Sequence, residues 1–313
     1  MKYFFLLALI FNYSAIKSQD GKIIEQTKIM ASPDSLLKPS SPFYAVLKKI
    51  LDSVDIFRIT YLSDGLKVKG YLDIPKKPGK YPCIIYNRGG NRENSKLNND
   101  IVMGKLGELA SYGYCVVASQ YRGNDGGEGQ EEFGGKDIDD VLNLMPLLNN
   151  VSSADTSRIG IYGTSRGGMM TYLALRKTNR LKAAVVVSGI ADFKQAIEKT
   201  NFDADSMFTN WLPAYRENRE RFIKERSPIQ FADKICKTTP ILIIHGTADG
   251  RVILPPVLEL CRKFYDLKQP FRLTLFEGAG HGGGPYIEMM QAIKNFFDYY
   301  LRDKNATRSL ELH

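Results

Sequence analysis

The sequence predicts an α/β fold with a mostly parallel central sheet, helices on both faces and one helical, lid-like insertion. Three observations predict it. Short apolar runs such as Cys83–Tyr86, Cys115–Ala118, Ile159–Tyr162, Ala183–Val187 and Ile241–Ile244 alternate with helical stretches, the rhythm of parallel strands covered on both faces. A serine bracketed by glycines stands between one such run and a helix. The alternation is broken once, over about 190–232, by a segment rich in aromatic and charged residues.

Taken in order, Met1-Lys2 precedes an apolar run from Tyr3 to Ile16 that is interrupted only by Asn12 and Ser14. Polar Lys17-Ser18-Gln19-Asp20 follows. A short positive start, a short apolar stretch and a small residue describe a secretory signal peptide over 1–18, cleaved near Ser18. The run falls short of the roughly 20 apolar residues that span a bilayer, so stable membrane insertion after cleavage is not expected. A retained anchor is the alternative. The chain is accordingly expected to be exported, to the periplasm or beyond.

Residues 19–55 read as a lead-in, polar and loose to about Ser41, then helical from Phe43 to Leu51. The main domain is expected over 56–303. It starts with two alternating runs, Ile56–Leu62 and Leu66–Ile74, joined by Ser63-Asp64-Gly65 as a hairpin. Helices are expected at Ile101–Tyr112, Asp137–Leu148, from Met169, from about Pro256, and last up to Leu301, with a final strand Leu273–Phe276. The insertion should be helical and lie over the C-terminal edge of the sheet, where ligands bind in open α/β sheets.

The chain has 313 residues, 43% hydrophobic and 25% charged, with a formal net charge of +9. Lysines and arginines are scattered among acids, with no basic run and no aromatic–basic ladder, so nucleic acid is excluded as a partner. Cys83, Cys115, Cys236 and Cys261 show no C-x-x-C pair and no metal-ligand spacing. The first two read as buried packing residues, and Cys236 with Cys261 could pair in an oxidising compartment. With three histidines in the whole chain, neither a metal nor a cofactor is expected.

The chemistry centres on Gly163-Thr164-Ser165-Arg166-Gly167. It follows a strand and opens directly into a helix, the setting of a nucleophile elbow. A serine hydroxyl needs a base, usually histidine. His313 ends the chain, and His245, in Ile-Ile-His-Gly-Thr-Ala-Asp, reads as a hydrogen-bonded structural residue. His281, in the glycine-rich loop after the final strand, is the expected base. In the α/β-hydrolase fold the acid falls between Ser and His. Asp249 is preferred there, with Asp192 the competitor that reads more simply as a helix N-cap. The expected oxyanion donors are the backbone N–H of Arg166 and the loop after Tyr86, Asn87-Arg88-Gly89-Gly90-Asn91. The Arg88 guanidinium is a further candidate to face the site, and Trp211 in the insertion a candidate substrate contact.

Further stretches carry a resemblance. They are Tyr121-Arg122-Gly123, Phe133-Gly134-Gly135-Lys136-Asp137 with Asp139-Asp140-Val141, and Arg158-Ile159-Gly160-Ile161 ahead of the elbow. Ser227-Pro228 before Ala232-Asp233-Lys234-Ile235, Pro240 to Asp249 with Arg251-Val252, and Gly280-His281 complete the set. From Tyr81 to Leu301 the sequence resembles the catalytic domain of the prolyl oligopeptidase family of serine peptidases. The resemblance implies the α/β-hydrolase fold and a triad mapped onto Ser165, Asp249 and His281. Two departures stand out. Family members usually carry a large N-terminal β-propeller, for which this chain has no room. Arg166 stands where the family often has Tyr after the nucleophile, and Arg88 where some members have an oxyanion Tyr.

The expectation is an exported serine hydrolase acting on short peptides or small esters through an acyl-enzyme, with carboxylesterase rather than peptidase activity as the alternative. Arg88 and Arg166 would recognise an anionic group on the substrate. A catalytically inactive binding protein on the same scaffold is the reading from another class, and the complete triad and elbow glycines speak against it.

Overall fold

The computed structural model describes residues 19–199, 203–212 and 215–302. The expected signal peptide therefore lies outside the described residues. The fold is α/β, with nine mostly parallel strands: β1 (Ile23–Lys28), β2 (Val54–Ser63), β3 (Leu66–Pro75), β4 (Tyr81–Asn87), β5 (Cys115–Ser119), β6 (Ala154–Thr164), β7 (Leu181–Val187), β8 (Ile241–Gly246) and β9 (Phe271–Phe276). Two compact units divide the described residues. One runs to Cys83 and adds Asn91–Thr156; the other holds Ile84–Gly90 and the chain from Ser157.

The first unit orders its strands β1-β2-β3-β5, each pair antiparallel. Its β2–β3 hairpin closes Ser63 on Leu66 across Asp64 and Gly65. Both turn residues have positive φ, at 51° and 78°, the geometry that matches strand twist. Residues 19–41, expected to be loose, instead contain β1, which pairs Lys28 with Phe57 and Ile23 with Tyr61. Five of its six residues are exposed, so the apolar alternation that announces a strand is missing. Helix Tyr44–Ser53 turns Leu47 and Ile50 inward. Over the expected helix from Ile101 to Tyr112 the chain is helical with a π-type segment at Val102–Leu106.

Two stretches of the family resemblance serve this unit's interior. Arg122, 4% exposed, donates through Nε and Nη2 to Asp140 and through Nη2 to Asp64. Asp140 also accepts from Ser63 Oγ at 2.7 Å. Burial raises the Asp140 carboxyl to about 6 although Arg122 and Ser63 pull the other way.

Asp73 on β3 has no such company. It is fully buried, and neither carboxylate oxygen has a hydrogen-bond partner among the described residues. Burial lifts its pKa well above the ordinary 3.8, so the folded state holds a proton that the unfolded chain releases. Stability from this source is complete below the unfolded value of 3.8 and is lost as pH rises towards the folded one. Asp73→Asn is therefore expected to flatten the decline of Tm that sets in as pH rises above 3.8. Asp73→Val, similar in volume and suited to a strand, removes the orphaned acceptors and should add about 1–3 kcal/mol in denaturant titrations. A Tm–pH curve identical to the parent's for both variants would contradict this account.

The second unit orders its strands β4-β6-β7-β8-β9. From β6 onward neighbours are parallel, pairing Thr164 with Val187, Val187 with Ile244, and Gly246 with Phe276. Strands β7 and β8 are buried almost throughout, as strands covered on both faces must be. These registers bring the strands' C-terminal ends level, so the loops that follow each strand gather along one edge. The insertion is helical as expected, with helices Phe193–Glu198, Ala204–Trp211 and Arg219–Glu225. Phe193, Phe208, Tyr215 and Phe222 pack into one aromatic cluster around the fully buried Phe208. All four cysteines are free thiols, Cys236 and Cys261 included.

Candidate active site

Ser165 stands between β6 and the helix Arg166–Lys177, with φ 58° and ψ −123°. A side chain other than glycine holds such a conformation only when its surroundings enforce it. Here the enforcement is visible. The Ser165 N–H donates to Val187 O at 2.9 Å. A Cβ on Gly163 would lie 2.0 Å from Gly167 O, and one on Gly167 would lie 2.0 Å from Asn87 O. The turn is thus too tight for any side chain on either glycine of the motif. Asn87, itself buried, donates to Thr171 Oγ1, and Thr171 donates to Gly167 O. This pair clamps β4 to the first turns of the helix.

Ser165 is partly exposed and sits at the helix N-terminus, where the first N–H groups lack intrahelical acceptors and the dipole favours negative charge. Gly89 lies against it: a Cβ there would be 3.3 Å from Ser165 Cβ and 3.9 Å from Oγ. The backbone after β4 and the first helical turn therefore flank the hydroxyl.

In the loops after β8 and β9, His281 Nδ1 meets Asp249 Oδ2 at 2.9 Å and Oδ1 at 3.1 Å. The Asp249 side chain is fully buried while that of His281 keeps 20% exposure. Asp249 Oδ1 also accepts the N–H groups of Arg251 and Val252, both at 2.9 Å. Burial alone would raise this carboxyl; the bonds from His281, Val252 and Arg251 outweigh it and hold the pKa at about 2. An ionised carboxylate can only accept, so Nδ1 of His281 carries the proton and Nε2 presents a lone pair. The loop bearing His281 lies along the end of β8, where Ala248 N–H donates to Ala279 O and Thr247 N–H to Phe276 O.

The rejected candidates have other uses. His245 is fully buried, and its Nε2 donates to Val252 O at 2.7 Å. Burial lowers its pKa, which keeps the ring neutral. Asp192 caps the helix Phe193–Glu198 by accepting from Lys194 N–H at 2.9 Å. His313 lies outside the described residues.

Arg88 and Arg166 are each 1% exposed. Arg88 Nη1 donates to Gly89 O and Arg166 Nη1 to Gly90 O, both at 3.1 Å. Each guanidinium thus donates to a carbonyl of the glycine loop from a buried position. Trp211 is half-buried and meets Phe208 edge-on at 5.9 Å, so much of its ring belongs to the insertion's own cluster.

Two side chains near the site have roles the sequence reading does not foresee: Ser188, and Asn87, which it names only as part of the oxyanion loop and which bonds Thr171. Ser188 follows β7 with φ 47°, and its Oγ accepts the N–H of Gly282, next to His281, at 3.2 Å. Neither carries a motif; a lone Asn or Ser after an apolar run looks like any strand end.

Comparison with known proteins gives the family and the fold. The family described as prolyl oligopeptidase family matches residues 103–305. An uncharacterized peptidase of Bacillus subtilis, YtmA, is 33% identical over 229 residues, covering 73% of this chain and 86% of that protein. Dipeptidyl-peptidase 5 of Porphyromonas gingivalis is 28% identical over 205 residues, 61% of this chain but 29% of that protein. Among solved structures, the acylaminoacyl peptidase of Pyrococcus horikoshii superposes with a TM-score of 0.67 at 23% identity, covering 85% of this chain and 45% of that one. A Mycobacterium tuberculosis puromycin-hydrolyzing peptidase gives 0.63 at 22% identity, covering 79% and 44%. The chain thus spans most of the Bacillus protein but less than half of the other three.

Proposed function

The chain belongs to the prolyl oligopeptidase family and is a serine hydrolase, and on that premise we propose that Ser165, His281 and Asp249 hydrolyse short peptides or small esters through an acyl-enzyme. The observation that carries this reading is the His281–Asp249 contact in the unit that strains Ser165 onto its helix N-terminus. Ser165 Oγ attacks the carbonyl carbon while His281 Nε2 takes its proton, and the new imidazolium is stabilised by Asp249. The carbonyl oxygen becomes an oxyanion received by the N–H of Arg166 and the backbone at Gly89. Collapse expels the amine or alcohol, which leaves with the proton from Nε2. Water, deprotonated by the same nitrogen, then attacks the acyl carbon; that carbon's bond to Ser165 Oγ breaks, the carboxylic acid leaves and Nε2 returns the proton to Oγ.

Arg88 and Arg166 act in this reading as braces of the glycine loop, through the donations from Arg88 Nη1 to Gly89 O and from Arg166 Nη1 to Gly90 O. Trp211 offers the exposed part of its ring to the substrate. Export rests on the leader sequence, Met1 to Ser18. Among the described residues no helix is long and apolar enough to cross a membrane.

A fluorophosphonate probe should label the protein once, with the mass addition mapping to the peptide that contains Ser165. Short-chain p-nitrophenyl esters and aminoacyl or dipeptidyl p-nitroanilides should both be turned over. Folded protein that takes no label at Ser165 would point to the binding-protein reading. Ester turnover with no p-nitroanilide turnover would reassign it as a carboxylesterase.

A further inference from the structure

Ser188 lies outside the triad yet touches the framework of both its ends. It follows Val187, whose carbonyl receives the Ser165 N–H at 2.9 Å, and its own N–H donates to Ile244 O at 2.9 Å. Its Oγ accepts from the N–H of Gly282 at 3.2 Å. One dipeptide, Val187–Ser188, therefore joins the nucleophile's backbone to the residue that follows the base.

The backbone at Ser188 makes this position unusual. Its φ of 47° is a conformation that glycine adopts freely and other residues seldom do. The side chain is fully buried, so solvation does not account for a hydroxyl there. What serine has and glycine lacks is the oxygen that holds Gly282. The loop needs holding at this point: Gly282 and Gly283 follow His281 with φ 117° and 98°, a pair of residues with wide conformational freedom. Gly283 is seated tightly, since a Cβ would meet Val187 Cγ1 at 2.7 Å and Ile244 Cγ2 at 3.2 Å. The Ser188 bond fixes the peptide between that seat and the imidazole.

We infer that Ser188 is a positioning residue, whose hydroxyl fixes the distance and angle at which His281 meets Ser165. The inference rests on the triad reading above. It is tested with Ser188→Gly and Ser188→Ala, each made in the parent and in a His281→Ala background. Turnover of a p-nitrophenyl ester and Tm are measured for all six proteins. Ser188→Gly relieves the backbone and should melt no lower than the parent; Ser188→Ala keeps the Cβ and loses only the oxygen.

Both variants should lower kcat by about 10²-fold, the scale of a misplaced catalytic group, with KM essentially unchanged. In the His281→Ala background neither should lower the residual rate further, because the group being positioned is gone. A kcat equal to the parent's in Ser188→Gly, beside a collapsed His281→Ala, would overturn the assignment while leaving the triad standing. An equal loss in both backgrounds would do the same, since Ser188 would then act elsewhere. Retention of activity by His281→Ala itself would remove the base assignment and, with it, the role given to Ser188.

Discussion

Ser165→Ala and His281→Ala are each expected to lower kcat by about 10⁴–10⁶-fold, since a triad fails as a unit when either member is removed. The fold should survive both changes. Ser165 is partly exposed and His281 keeps 20% side-chain exposure, so neither truncation opens a cavity in the core. His245→Ala makes the internal control. It removes a fully buried ring and leaves Val252 O without its donor, so its first effect should be on stability, about 1–3 kcal/mol for the orphaned acceptor. Turnover of a p-nitrophenyl ester, read beside a thermal melt of each variant, separates the cases. Near-parent activity in His281→Ala, with a folded but inactive His245→Ala, would move the base to β8.

How much of this was legible beforehand differs by residue, for physical reasons. Strands β7 and β8 could be read because both faces of each are buried, which writes an unbroken apolar run into the sequence. Strand β1 could not: its contribution is backbone pairing to β2, and Ile23-Ile24-Glu25-Gln26-Thr27-Lys28 leaves almost every side chain in water. The glycines of the elbow were legible for the opposite reason, since a 2.0 Å approach of backbone atoms permits no other residue. His281 and Asp249 followed from chain order and loop position. The donations of Arg88 and Arg166 to Gly89 O and Gly90 O were not legible, because an arginine beside a serine nucleophile has the same letter whether its fork faces a ligand or a loop carbonyl. Ser188 and Asn87 act through single hydrogen bonds, to Gly282 in a loop and to Thr171 on a helix, and such bonds leave no periodicity behind.

Asp249→Asn is expected to lower kcat by about 10⁴-fold while the protein stays folded. The amide oxygen can still accept from the Arg251 and Val252 N–H groups that Asp249 Oδ1 now serves, so the turn is retained. The other side of the group changes character. An NH₂ facing Nδ1 of His281 forces that nitrogen to accept, which puts the ring proton on Nε2. Nε2 then meets the Ser165 hydroxyl as a donor and has no lone pair to take its proton. The carboxylate's acid titration adds a second reading. Its pKa of about 2 lies below the ordinary 3.8, so the stability it contributes is present above pH 3.8 and is lost as pH falls towards 2. Within that window Asp249→Asn should flatten the acid decline of Tm. In the neutral range Asp249 stays ionised, and the acid limb of the rate profile belongs to another group. Asp192→Asn should change kcat little, because asparagine caps a helix about as well as aspartate does. A ranking in which Asp192→Asn is the inactive variant and Asp249→Asn turns over near the parental rate would place the acid at the end of β7 instead.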